Sequence, residues 1–184
     1  MKQILGFATG NIWDWHDDNN VASLFRYMDK LNINGIELTL GTKEQLYHFK
    51  PTKKQVNWLR SLDYVSIHAP FRLVRRADNE EEIVKQLNYI QKFYDLIKAK
   101  NLIIHPTDLP KPSILRNYDF KVSTENLTPE KHFTIPVLKK ILQKNPEMGL
   151  CLDVSHAYLK SDKETIKLIM AFKERITQVH FSGA

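Results

Sequence analysis

Short apolar runs of strand length alternate with stretches of helical periodicity along the whole chain. Residues 4–8 read as a first strand, and Val21, Leu24, Phe25, Met28 and Leu31 then recur at the spacing of one helix face. The run INGIELTL restarts a strand. After Pro51, the pair Thr52 and Gln55 has the spacing of a capping box and predicts a short helix carrying Val56 and Leu59. DYVSIHAP supplies the third strand. Over residues 80–100, Ile83, Leu87, Ile90, Tyr94 and Ile97 keep one face of a long helix apolar, with Asp78 placed to cap its start.

NLIIHP is the fourth strand, and Pro106, Pro110 and Pro112 behind it break most of the following stretch, which predicts a vestigial fourth helix. DFKVSTEN is the fifth strand; Pro136 then opens a helix with Val137, Leu138, Ile141 and Leu142 on its inner side. MGLCLDVSH is the sixth. Ser161 and Glu164 form a second capping-box pattern before Ile166, Ile169 and Met170, and ITQVHFSG is the seventh strand. Such alternation predicts a parallel sheet covered by helices. Seven units fit a single α/β domain over 1–184, a TIM (β/α) barrel that is incomplete for want of an eighth repeat, better than they fit an open sheet.

The strand ends carry the candidate chemistry. His68, His105, Glu125, Asp153 with His156 three residues on, and His180 each stand where a strand meets its following loop. Parallel strands deliver such residues to one rim, and only a closed or nearly closed ring brings five successive strands together there. Histidine with carboxylate suits zinc, and a mixed set also takes manganese or another divalent first-row ion. Glu125 lies in the middle of the series and is the natural bridge, which predicts two or more ions. Ions of this kind lower the pKa of bound water, so hydrolysis of a phosphodiester fits the set. The alternative is Asp153 and His156 acting as an acid and base pair without metal, which leaves His68, His105 and His180 unexplained.

Composition narrows the setting. With 184 residues, 42% hydrophobic and 26% charged, the chain has enough apolar residues for one substantial core. Its single cysteine, Cys151, forms no internal disulfide and sits in an apolar strand in the register of a small core residue. No apolar run approaches the length of a membrane span and MKQILGF is too short for a signal core, so a soluble, cytoplasmic protein is expected. No G-x-G-x-x-G, P-loop or G-x-S-x-G pattern occurs, which removes the main support for dinucleotide, phosphate-loop and serine-hydrolase chemistry. A formal charge of +6 permits an anionic partner. Arg72, Arg75 and Arg76 follow His68 directly and suit a sugar phosphate or a nucleic-acid backbone. Phe71, Trp13 and Trp15 are candidates for stacking on a base or sugar, and Glu37 for a substrate contact or for supporting a metal-bound histidine. Two unpaired strand edges predict either a homodimer through the gap or marginal stability.

The motifs GIEL, SIHAP, IIHP, STEN, LDVSHA and VHFSG together make the chain resemble the xylose-isomerase-like barrels, the superfamily that holds both endonuclease IV and the sugar phosphate isomerases and epimerases. The endonuclease branch, the AP endonucleases of DNA repair, implies one zinc on His68, His105 and Glu125, a second on Glu125, Asp153 and His180, and a third using His156. The usual partners of the third zinc, and the glutamate of an eighth strand, have no counterpart in this sequence. The isomerase branch implies one manganese-type ion without need of His68 or His105. The extra histidine pair therefore favours endonuclease-like hydrolysis at abasic DNA sites; a sugar isomerase or epimerase is the rival, and a non-catalytic metal- or ligand-binding remnant the third reading.

Overall fold

The computed structural model describes residues 4–11, 30–128 and 133–181. Among the described residues seven strands lie in chain order, each parallel to its neighbours: β1 (Gly6–Ala8), β2 (Gly35–Thr39), β3 (Tyr64–His68), β4 (Asn101–Ile104), β5 (Val122–Glu125), β6 (Gly149–Asp153) and β7 (Ile176–His180). The sheet curls on itself. Gln178 on β7 accepts from the Tyr64 hydroxyl of β3 at 3.2 Å and donates to Glu37 of β2 at 2.7 Å, so the last strand meets the second and third across the interior. Among the described residues β1 and β7 do not pair, which leaves an incomplete barrel.

Alternation decides what faces where. Ile36, Leu38, Leu40, Val65, Ile67, Leu102 and Ile104 point outward into one buried apolar cluster beneath the helices, and Leu150 and Leu152 into a second. Each such side chain contributes about 1.5–3 kcal/mol of burial. The intervening residues Glu37, Ser66, His68, Ser123, Glu125, Cys151 and Asp153 face the interior, which is therefore polar.

The helices follow local chemistry with some departures. Capping boxes at Thr42 and Thr52 start α1 (Lys43–His48) and α2 (Lys53–Ser61), the second as expected. For α3 (Glu80–Ile97) the cap is Asn79, whose side chain accepts from the Glu82 amide at 2.9 Å; the expected Asp78 is one residue too early. The fourth helix is vestigial, a single turn α4 (Pro112–Leu115) after a 3₁₀ turn at Pro106–Asp108. In α5 (Ile135–Lys144) Leu138 and Leu142 are buried, but Val137, expected inside, is exposed. The short α6 (Val154–Tyr158) follows β6 at once.

The largest correction concerns α7 (Glu164–Phe172). The Ser161 and Glu164 box does not form; Lys163 takes the cap position and the Glu164 carboxylate pairs with Lys160 at 2.5 Å. Leu168 and Phe172 are the buried stripe, while Ile166 and Met170 are 62% and 76% exposed. This helix is apolar almost all round, so periodicity left two stripes in competition and packing against β6 chose the other one. The first predicted helix lies mostly outside the described residues, as do Trp13 and Trp15; Leu31, its last member, is exposed. None of the described helices is long and apolar enough to cross a membrane.

Between β6 and β7 the register slips at Leu150/Cys151: Leu150 pairs with Ile176 but Cys151 with Gln178, leaving Thr177 as the extra residue of a bulge. The Thr177 hydroxyl meets the Ser123 hydroxyl at 2.7 Å. A Cβ on Gly149 would overlap the Thr177 methyl and approach Ser123 Oγ to 2.7 Å. Both neighbours are short and tied to each other, so Gly149→Ala is expected to destabilise the protein by about 1–3 kcal/mol. Thermal or urea unfolding measures this; a variant as stable as the parent would show that the contact relaxes.

Candidate metal centre

Four of the candidate ligands reach the interior by the same route. His68, Glu125 and Asp153 each follow an inward Ser66, Ser123 or Cys151 by two residues, the strand repeat, and His105 follows Ile103 in the same way just past the end of β4. His180 is different. With Ile176 packed outward, plain alternation would turn residue 180 outward too; the bulge at Thr177 changes the parity, so that Gln178 and His180 face in while Val179 is 53% exposed.

Glu125 is 2% exposed and stands at the centre. Its Oε2 lies 3.5 Å from His68 Nε2 and 3.3 Å from His105 Nε2. Its Oε1 lies 2.9 Å from His180 Nδ1 and 3.9 Å from His156 Nδ1. Asp153 closes the second side, with Oδ2 at 3.6 Å from His156 Nδ1 and 3.9 Å from His180 Nδ1. One carboxylate oxygen therefore faces one histidine pair and the other faces the remaining ligands. Donor atoms about 2.0–2.1 Å from a tetrahedral ion stand roughly 3.3 Å apart, which is the spacing of His68 and His105 from Glu125. The donor set fits divalent ions of the zinc type on His68, His105 and Glu125, and again on Glu125, Asp153 and His156.

Hydrogen bonds set the histidine tautomers. His68 Nδ1 lies 2.9 Å from the Ala69 carbonyl and must donate to it, which turns Nε2 toward Glu125. His156 Nδ1 likewise donates to the Asn126 carbonyl at 3.0 Å and leaves Nε2 available. His180 is bracketed by carboxylates, with Nε2 at 2.8 Å from Glu37 and Nδ1 at Glu125. Glu37 thus stands behind a candidate ligand, as a carboxylate that orients it, and also bonds Gln178. A partner missed in the sequence is Asn126, whose amide accepts from Asp153 N and donates to Asp153 O, both at 2.8 Å, tying the ends of β5 and β6 together. Its signal was present in STEN, beside Glu125, but side-chain pairing to a backbone of another strand has no periodicity to reveal it.

The electrostatics follow from this packing. Burial alone would raise the Glu125 carboxyl, but hydrogen bonds from His105, His180 and His68 outweigh it and hold the group well below the usual range. Burial would lower His180, yet the charge of Glu37 and bonds with Cys151, Glu125 and Glu37 raise it. His68 is raised against its own burial by Glu125 and Glu37. Burial dominates at Asp153, whose carboxyl is raised although His156 opposes. Cys151 was expected to be core packing; it is fully buried, but its thiol faces His180 and Glu125, and burial pushes it up to about 12.

The rim loop after β3 divides its residues among three tasks. Phe71 stacks on the His105 ring at 5.2 Å and meets His68 edge-on at 5.1 Å, walling the centre. Arg75 turns away to Asp108, with Nη2 to Oδ2 at 2.8 Å, and is a clamp on the loop. Arg72 and Arg76 line a separate small cavity. The interior basin itself has a volume of about 980 Å³ and reaches Phe7, Glu37, His68, Glu125, Asp153 and His180.

No family model matches the sequence, and no curated protein matches it. Solved structures do. A D-tagatose 3-epimerase-like protein superimposes with a TM-score of 0.69 at 16% identity, over 97% of this chain and 76% of that one. Endonuclease IV from Thermus thermophilus follows at 0.64 and 16%, over 96% of this chain and 74% of that one. A xylose isomerase domain containing protein from Salmonella typhimurium gives 0.61 and 18%, over 100% of this chain and 74% of that one. The fold is that of the xylose-isomerase-like TIM barrels. At these identities the likeness concerns architecture, and the chain spans about three quarters of the length of those neighbours.

Proposed function

We propose that this chain is a divalent-metal-dependent phosphodiesterase of the endonuclease IV type, with zinc as its ion and the backbone at an abasic DNA site as its substrate. The observation that carries the reading is the division of Glu125 between His68 and His105 on one oxygen and His180 on the other. Sugar chemistry on one ion has no use for the first pair. When bound, two such ions supply Lewis acidity at the phosphate and acidify water. The protein's own part is positional. The Ala69 carbonyl fixes His68 in the tautomer that leaves Nε2 free toward Glu125, and Glu37 orients His180 through its Nε2. Asp153 accepts from the His156 amide at 2.6 Å, which holds its carboxylate beside His156 on the side of Glu125 where a second ion would be held. Phe71 forms an aromatic wall of the basin against His68 and His105.

A second reading is favoured by the convergence of Glu125, Asp153 and His180 with His156 beside them, which suffices for one ion and a sugar isomerase or epimerase. The D-tagatose 3-epimerase-like neighbour supports this alternative. The test is to load purified protein with zinc or manganese, count ions by mass spectrometry, and offer an abasic oligonucleotide and a panel of ketoses and their phosphates. Incision with two or more ions bound is the expected result. Ketose interconversion with a single ion selects the second reading, and absence of incision with every divalent ion overturns the first.

A further inference from the structure

A second cavity, of about 300 Å³, opens between the loops that follow β2 and β3, and Phe71 lines both this cavity and the metal basin. Its charged residues are Lys43, Arg72 and Arg76 against one carboxylate, Glu44, and the buried Gln86 reaches it from α3. Glu44 is exposed and feels the charge of Arg76 without forming an ion pair. Among the described residues neither Arg72 nor Arg76 is engaged by a carboxylate, whereas Arg75 between them is held by Asp108. Two guanidinium forks on one small cavity are matched to a group with several equivalent anionic oxygens.

The loop that carries them is built to hold position. Phe71 N donates to Gly41 O at 3.0 Å, joining the two loops, and Arg76 N donates to Arg72 O at 3.0 Å. Asp108 accepts from the amides of Val74 and Arg75 at 3.3 and 3.1 Å and from the Arg75 side chain. Arg72 has a φ of 74°, in the left-handed region that a side chain of this kind rarely adopts. Strain of that type persists where surrounding contacts over-determine it, and it clusters at ligand clamps.

We infer that this cavity is a phosphate-recognition subsite: Arg72, Arg76 and Lys43 take a phosphoryl group that does not react, on a ligand whose reacting end lies beyond Phe71 in the metal basin. The inference rests on the metal-centre reading for the placement of the reacting end, and it narrows the substrate class to molecules with a phosphate one moiety away from the bond that changes. Two sources share this chemistry, the terminal phosphate of a sugar phosphate and a neighbouring diester of a nucleic-acid strand.

The experiment uses the full chain stripped of metal by chelator, so that phosphate has no ion to bind. Ribose 5-phosphate, unphosphorylated ribose and a short duplex with an abasic-site analogue are titrated calorimetrically, with ³¹P line broadening for the small phosphate. Binding of a phosphorylated probe but not ribose is expected, weakened at least tenfold in Arg72→Gln/Arg76→Gln and unchanged in Arg116→Gln, an exposed arginine elsewhere. Arginine-dependent binding of ribose 5-phosphate identifies the terminal phosphate; such dependence for the duplex alone identifies the diester. Absence of binding by both probes, or binding that the double variant retains in full, overturns the subsite. Melting curves and the Arg72→Lys/Arg76→Lys pair, which keeps charge but loses the forks, separate a folding defect from loss of recognition. Because no turnover is read, this result stands apart from the incision assay: either can fail while the other succeeds.

Discussion

Glu125→Ala is expected to abolish binding of both ions and to lower any metal-dependent turnover by more than the roughly 10–100-fold that loss of an outer partner costs. The reason is topological. Glu125 offers Oε2 to the His68 and His105 side and Oε1 to the His180 side, so one substitution removes a ligand from each. His68→Ala removes a ligand from one side only, and the expected count falls from two ions to one. Metal analysis after equilibrium dialysis reads both numbers. Retention of one ion by Glu125→Ala would show that the carboxylate is not shared.

Proton release gives an independent reading of the same centre. His180 is raised well above the ordinary histidine range in the metal-free protein by the Glu37 charge and its bonds with Cys151, Glu125 and Glu37, and His68 is raised by Glu125 and Glu37, so the pair binds protons more tightly than free histidines do. An ion must displace them, so loading at pH 7 should release protons into weak buffer and affinity should fall as pH falls. The sign for folding is the opposite one for this pair. A raised histidine contributes stability that is fully present below its unfolded value of about 6.5 and is lost as pH rises toward the folded value. Metal-free protein should therefore melt at lower temperature at alkaline pH, and added zinc should restore it.

The strands were legible because their environment is two-sided. Outward Leu, Ile and Val at residues 36, 38, 65, 67, 102, 104, 150 and 152 alternate with inward polar residues, and one buried face against helices fixes the register. The position of His68, His105, Glu125, Asp153 and His180 where each strand meets its loop put them on one rim in the sequence. The inward orientation of His180 depends on a bulge whose only trace is the odd spacing of the outward Ile176 and Val179. A fixed period cannot anticipate a parity change. The stripe of α7 failed for a related reason: a helix of Ile, Leu, Met and Phe on several sides has no unique apolar face until β6 is beneath it. Arg75 looked like its neighbours Arg72 and Arg76 because its partner lies 33 residues away, on a loop whose course the prolines had obscured.

That partner is the basis of the second large effect. Asp108→Ala should destabilise the protein by about 2–4 kcal/mol and loosen the whole loop from Phe71 to Arg76. Asp108 is 1% exposed and accepts from Val74 N, Arg75 N, the Arg75 guanidinium and the Thr107 hydroxyl. Removing it leaves two loop amides without their acceptor, while the Arg75 side chain, 45% exposed, recovers water and keeps the cost toward the lower end. Burial alone would raise the Asp108 carboxyl, but the hydrogen bonds of Arg75 and Thr107 prevail and lower it. A lowered carboxyl contributes stability that is fully present above its unfolded value, about 3.9, and is lost as pH falls through the folded value. The gap in melting temperature between the parent and Asp108→Asn should thus be constant from about pH 5 to neutrality, and should close under more acid conditions. Because Phe71 packs on His68 and His105 from that loop, the Asp108→Ala variant should also bind phosphate and metal more weakly even at temperatures where it is fully folded. Unchanged affinities in a destabilised Asp108→Ala protein would mean that the clamp serves the fold alone and the loop finds its place without it.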